Sequence, residues 1–254
     1  MKIVLIFCIF IYSSLYGGNK IKSKVFADNI MYTKLLANSY STTPKRAEFL
    51  GVNEYLKSIK LFANDKLLVD IETSYYLTTN PIFKFAIKGA DGSKIKAEII
   101  DNHNKIATIS NKIRYVSASF EFKNIYPKKT KRKPWVDIED IDESEVKKRY
   151  KNTKFIKGDM DIYAPDVASN GGAVPIEIRP NIKVKSVTLF TTNKKNQMKF
   201  VCKWTSNSKY KILSYFIKFK LAEAGYARVV LEAENGKFYS ATRFIAISLG
   251  GGDQ

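Results

Sequence analysis

Cysteine is nearly missing from this chain: among 254 residues only Cys8 and Cys202 carry a thiol. A fold stapled by several disulfides is therefore excluded. Histidine is scarcer still, with His103 alone. One imidazole is not a metal site, and no Ser/His/Asp set or Cys/His pair can be assembled around it. The sequence has no G-x-S-x-G elbow and no G-x-x-x-x-G-K phosphate cradle, which removes two common hydrolase and nucleotide-binding readings. The apolar run at the start, Ile3 to Tyr12, is about half of the roughly 20 residues that a membrane-crossing helix needs. Acidic residues are outnumbered by basic ones, 24 to 43, for a net charge of +19. Beyond the first residues, apolar positions seldom recur at helical spacing.

What is present begins with a leader. Lys2, the apolar run, then small polar residues and Gly17-Gly18 follow the layout of a secretory signal peptide cleaved near Gly17 or Gly18. No twin arginine precedes the run and no lipobox precedes Cys8, so general secretion is expected. Cleavage would leave Cys202 as the last cysteine, without an intrachain partner. The high charge and a pI near 9.7 would suit nucleic acid, but an exported protein seldom meets it and the lysines are scattered over strand faces. The charge reads instead as solubility, attraction to anionic membrane surfaces or steering of acidic partners.

The rest alternates in period two between turn residues. In NPIFKFAIKG, Phe83, Phe85 and Ile87 take one face and Lys84 and Lys88 the other; after GADGS, Ile95, Ala97 and Ile99 alternate with Lys94, Lys96 and Glu98, which predicts a hairpin with one dry face. KLFANDKLLVDIE predicts two strands around Asn64 and Asp65. From Tyr126 to Lys157 the pattern breaks into a basic run, the acidic block WVDIEDIDESE and a second basic run, read as a solvated connector with one helical turn. The block lacks the glycine of a calcium loop. A second strand series follows, SVTLFTT, KFVCKW, YFIKFKL, ARVVLEA and FYSATRFIAISL, with Asn235-Gly236 marking a hairpin. The expectation is an all-β protein of two immunoglobulin-like β-sandwich domains joined by a charged linker.

Few side chains stand out as chemistry. Cys202 shares a strand face with Phe200 and Trp204 and reads as a core cysteine, with a displaced carrier thiol as the alternative. His103 falls in the turn DNHNK and should be exposed. Tyr75 and Tyr76 in SYYL would face opposite sides of a strand, one core and one surface. No cofactor and no metal are expected.

Two stretches carry a resemblance. IYAPDVASNGGAVPIEI (162–178) together with NGKFYSATRFIAISLGG resembles SoxY, the sulfur-carrying subunit of bacterial thiosulfate oxidation. LFANDKLLVDIETSYYLTTNPIFKFAIKGADGSKIKAEIIDNHNK (61–105) resembles its partner SoxZ. The resemblance implies a periplasmic fusion: signal peptide 1–18, SoxZ-like sandwich 19–122, charged linker 123–157, SoxY-like sandwich 158–249 and a glycine-rich arm 250–254. In that family the arm reads GGCGG and its cysteine carries the sulfur. Here the arm is Gly250, Gly251, Gly252, Asp253 and Gln254, with Gly252 at the cysteine's place. Glycine offers no thiolate. The implied protein is not an enzyme and acts by binding Sox-type periplasmic enzymes or carrier subunits, with the two sandwiches paired within a chain or between two copies. The alternatives are a working carrier through Cys202, or a general periplasmic assembly or adhesion module.

Overall fold

The computed structural model describes residues 18–39, 41–42, 48–49, 51, 53–122, 141–151 and 153–248. Residues 1–17 of the leader, residues 123–140 of the charged stretch, residue 249 and the arm 250–254 lie outside the described residues.

The chain is all-β, as its period-two pattern predicts, and forms an immunoglobulin-like sandwich. The strands of the first half are β1 (Lys20–Phe26), β2 (Ile30–Leu36), β3 (Leu56–Ala63), β4 (Lys66–Thr73), β5 (Ile82–Lys88), β6 (Lys94–Asp101) and β7 (Ile106–Val116). Helix α1 (Ser144–Tyr150) introduces the second half, followed by β8 (Phe155–Lys157), β9 (Met160–Tyr163), β10 (Val167–Ala168), β11 (Val174–Pro180), β12 (Val184–Thr192), β13 (Met198–Ser206), β14 (Lys211–Phe219), β15 (Gly225–Ala233) and β16 (Phe238–Ile247).

The halves do not merely hang from a linker. In one layer β5 pairs antiparallel with β14, so that β7, β1, β2, β5, β14, β11 and β9 form one sheet. In the other, β4 pairs antiparallel with β13, and the order runs β16, β15, β12, β13, β4, β3, β6, β7. Both layers therefore cross the seam without a break. Edge strands, a liability when exposed, are here joined to each other. Each outer end is closed by chain that changes layer. β7 pairs with β6 through Ile106–Lys112 and then with β1 through Ile113–Val116. At the other end β9 joins β11 and β10 joins β16.

The dry faces meet in a single core that includes Leu61, Ile71, Phe85, Trp204, Tyr215 and Leu231. Trp204 and Tyr215 are fully buried at the seam, where their strand partners are Ile71 and Phe85. Ser206 Oγ and the Tyr215 hydroxyl lie 2.8 Å apart, which pairs the phenol inside the core.

Three expectations need correction. Strands 82–88 and 94–101 do not form a hairpin: β5 pairs with β2 and β14, while β6 pairs with β3 and β7. The GADGS turn carries the chain between layers, with Gly89 at φ 82 and Gly92 at φ 142. Alternation reveals a dry face but not the strand beside it. The second correction concerns residues 141–151 and 153–157, which fold onto the sandwich rather than forming a free connector. Val146 of α1 is 1% exposed and packs with Phe190, Phe200, Met198 and Val230. Tyr150, one turn on, joins the same cluster. β8 then pairs in parallel with β16. Tyr75 and Tyr76, the third, lie in a turn after β4 and not on a strand, with ring centroids 4.7 Å apart.

Candidate functional site

Two places concentrate polar structure: the root of the arm and the seam. At the root, β16 is hydrogen-bonded on one side to β15 along its length and flanked on the other by β8 and then β10. Asp166 organises the end of the strand. Its backbone carbonyl accepts from Ala246 N at 2.8 Å and its carboxylate pairs with Arg243 at 2.9 Å. Ser248 N donates to Ala168 O at 3.0 Å, at the end of the described residues. Just beyond, Asn170 Oδ1 accepts from Gly172 N at 2.7 Å and folds Gly171–Ala173 into a short 3-10 turn, whose Gly171 carbonyl accepts from Leu221 N at 2.7 Å. The stretch DVASNGGAV thus forms a bracket along the last described residues of β16. Beside it Val167 is 58% exposed and Phe244 is 39% exposed, the latter edge-on to Tyr226. Gly250, Gly251 and Gly252 lie outside the described residues.

Cys202 is placed far from such accessibility. It sits in β13 between Leu189 of β12 and Thr73 of β4 and is fully buried. Burial, and then the charge of Glu72, push its thiol well above the ordinary cysteine value. A protonated thiol inside a strand ladder neither attacks nor presents a cargo. His103 is exposed in its turn, where Asp101 Oδ1 accepts from His103 N at 2.9 Å and from Lys105 N at 2.8 Å. Among the described residues no group of His, Cys, Asp and Glu could hold a metal ion.

The seam holds what the residue pattern did not reveal. Lys220, just after β14, is buried, and its ammonium donates to Ser41 O at 2.5 Å, Ser41 Oγ at 3.1 Å and Tyr75 O at 3.0 Å. Its backbone N donates to Tyr76 O at 2.8 Å. A second tie runs from Ser74, whose N and Oγ donate to Val201 O and Phe200 O at 3.0 and 2.5 Å. A third is Arg149 of α1, paired with Glu72 at 2.9 Å while its guanidinium lies 3.4 Å from the Phe200 ring centroid. Ser41, Lys220 and Ser74 are ordinary residues whose pairing depends on two distant segments meeting. Burial, with the neighbouring Tyr75, pushes the Tyr76 hydroxyl far above the usual tyrosine value, so it stays neutral.

Comparison with known protein families agrees with this two-part layout. Residues 18–112 match the model of the sulphur oxidation protein SoxZ, and residues 146–252 match that of the sulfur oxidation protein SoxY. The chain is a SoxZ–SoxY fusion. Its SoxZ match runs from before β1 into β7, and its SoxY match begins at Val146 inside α1. No curated protein matches the fusion. Among solved structures it is similar to the sulfur carrier protein SoxY from Chlorobium limicola f thiosulfatophilum, with 21% identity over 42% of this chain and 94% of that one and a TM-score of 0.36. A superoxide reductase (neelaredoxin) from Ignicoccus hospitalis is 14% identical over 39% of this chain and 84% of its own, with a TM-score of 0.31. The fibronectin(III)-like modules of Clostridium thermocellum CbhA are 10% identical over 91% and 95%, with a TM-score of 0.26. The fusion's SoxZ and SoxY parts place it in sulfur oxidation.

Proposed function

We propose that this protein is a periplasmic, non-catalytic component of sulfur-compound oxidation that binds Sox-type enzymes or carrier subunits without carrying sulfur covalently at the arm. One observation carries the reading. The position where the family keeps its carrier cysteine is Gly252, and the cysteine of the folded body, Cys202, is fully buried. Neither offers a thiolate to a sulfur species. The bracketed root of β16 and the exposed Val167 and Phe244 beside it favour docking as the retained task. The leader and the family's usual compartment support export to the periplasm.

The test uses the mature full chain. Incubated with thiosulfate and Sox enzymes, it should bind those enzymes, while the peptide that contains Gly250–Gly252 gains no mass. A sulfur adduct on that peptide, or on Cys202 in the native protein, overturns the reading. Loss of all affinity for Sox enzymes would point instead to the assembly or adhesion module.

A further inference from the structure

The outer face of the sheet that contains β5 and β14 carries a charge arrangement with a cost. Lys22 stands opposite Lys34 and Lys34 opposite Lys84, so three ammonium groups lie in cross-strand register on one face. Directly opposed like charges destabilise a sheet. The ion pairs formed among the described residues include none of the three. The row continues across the seam, with Phe216 opposite Lys84 and Glu177 opposite Phe216. The Lys84 ammonium lies 4.1 Å from the centre of the Phe216 ring. Burial lowers its pKa, and Lys34 and Lys218 lower it further against the pull of Glu177. Glu177 itself is paired with Arg179 at 2.8 Å.

Above this row the chain after β7 folds back as a roof. Phe120 N donates to the Asp28 carboxylate, at 3.2 Å to its nearer oxygen. The Phe120 ring stacks on Tyr32 at 5.7 Å and meets Phe26 edge-on at 5.2 Å. Between roof and sheet is a groove of about 380 Å³ lined by Phe26, Tyr32, Phe120 and Phe216, by Lys24 and Lys84, and by two carboxylates, Glu177, which is held by Arg179, and Glu121, which is exposed. Small-molecule sites have this character: mostly apolar or aromatic walls, a few placed polar groups, and volumes from about 300 Å³ upward.

We propose that this groove binds a flat organic anion, an aromatic carboxylate or sulfonate, with its ring among Phe120, Tyr32 and Phe216 and its charge against Lys84 and Lys24. The aromatic walls explain why the ligand has a flat apolar body. Lys84 explains why it is an anion: it lines the groove and stands opposite Lys34, so one negative charge beside it relieves repulsion that the sheet otherwise bears. An inorganic anion satisfies the lysines but leaves the aromatic walls wet. Because β5 belongs to the SoxZ half and β14 to the SoxY half, the site requires both. It goes beyond the docking function and does not involve the arm.

The experiment is a fluorescence titration of the mature full chain with an anilinonaphthalene sulfonate. Saturable binding at one site is expected, with displacement by naphthoate but not by equal concentrations of naphthalenemethanol or sulfate. Lys84→Gln should weaken binding about tenfold, the scale of one charge-assisted hydrogen bond, while melting at an unchanged or higher temperature because a repulsion is gone. Lys24→Gln, at an exposed position, should weaken it to a smaller extent. Lys60→Gln, on the outer face of the other sheet, should leave it unchanged. Equal displacement by the neutral alcohol or by sulfate overturns the proposal, and so does wild-type affinity in both Lys84→Gln and Lys24→Gln.

Discussion

The ring centroids of Trp204 and Tyr215 lie 5.2 Å apart, joining β13 in one layer to β14 in the other at the seam between the halves. Tyr215 in turn meets Phe85 edge-on at 6.2 Å. These rings belong to strands that each pair with a strand of the other half, so neither half completes its core alone. Trp204→Ala should therefore cost about 3–5 kcal/mol, the range for large aromatic truncations in cores. Unfolding followed by fluorescence and by far-UV circular dichroism should remain one transition. Two separate transitions, with only the second-half transition shifted, would contradict a shared core.

Helix α1 makes a more local prediction. Val146 fills a small cluster beneath the helix with Phe190, Met198, Phe200 and Val230. Val146→Ala should cost about 2 kcal/mol, from lost methyl burial and the cavity left behind. Chemical denaturation measures it, and a cost below about 0.5 kcal/mol would mean that the helix does not dock in solution.

That helix also shows how far the sequence could be read. Val146 and Tyr150 stand four apart, Glu145 opens the helix and Lys147, Lys148 and Arg149 close it, which is a helix signature. The net charge of the surrounding block masks it. Strand positions were legible because each dry face alternates: Phe83, Phe85 and Ile87 are all fully buried. Pairing was not legible, because the same alternation fits a hairpin and a crossover equally. GADGS therefore gave the turn without giving its layer. The seam is least legible of all, since Lys220 and Ser41 lie 179 residues apart and gain meaning only through contact.

Glu232 makes stability depend on acid. Burial opposes its charge, but hydrogen bonds from Lys185 and Ser186, with the charges of Lys185 and Lys203, outweigh burial and hold its carboxyl below the usual glutamate value. The folded state then binds fewer protons than the unfolded one as pH falls toward and below about 4.5, so stability rises with pH there. The contribution is fully present above the unfolded pKa and is lost as pH falls through the folded one. Glu232→Gln should flatten that part of the acid profile in denaturant midpoints measured from neutral pH to pH 3 or so. An unchanged profile would remove Glu232 from the acid response.

Cys202 supplies the prediction nearest to function. Its thiol lies between Leu189 and Thr73 in a continuous ladder and is held protonated by burial, so a thiol reagent reaches it only when β13 opens. Opening of core strands approaches the global unfolding free energy, at least about 5 kcal/mol for a stable domain. Native labelling should therefore run at least about a thousandfold slower than labelling in denaturant. Trp204→Ala, which weakens the same ladder, should speed native labelling in proportion to its loss of stability. A structural cysteine obeys that proportion; a working carrier thiol reacts rapidly in the native wild type and gains nothing from the substitution. Native labelling at the denatured rate would transfer the carrier role to Cys202 and end the reading in which the fusion only binds.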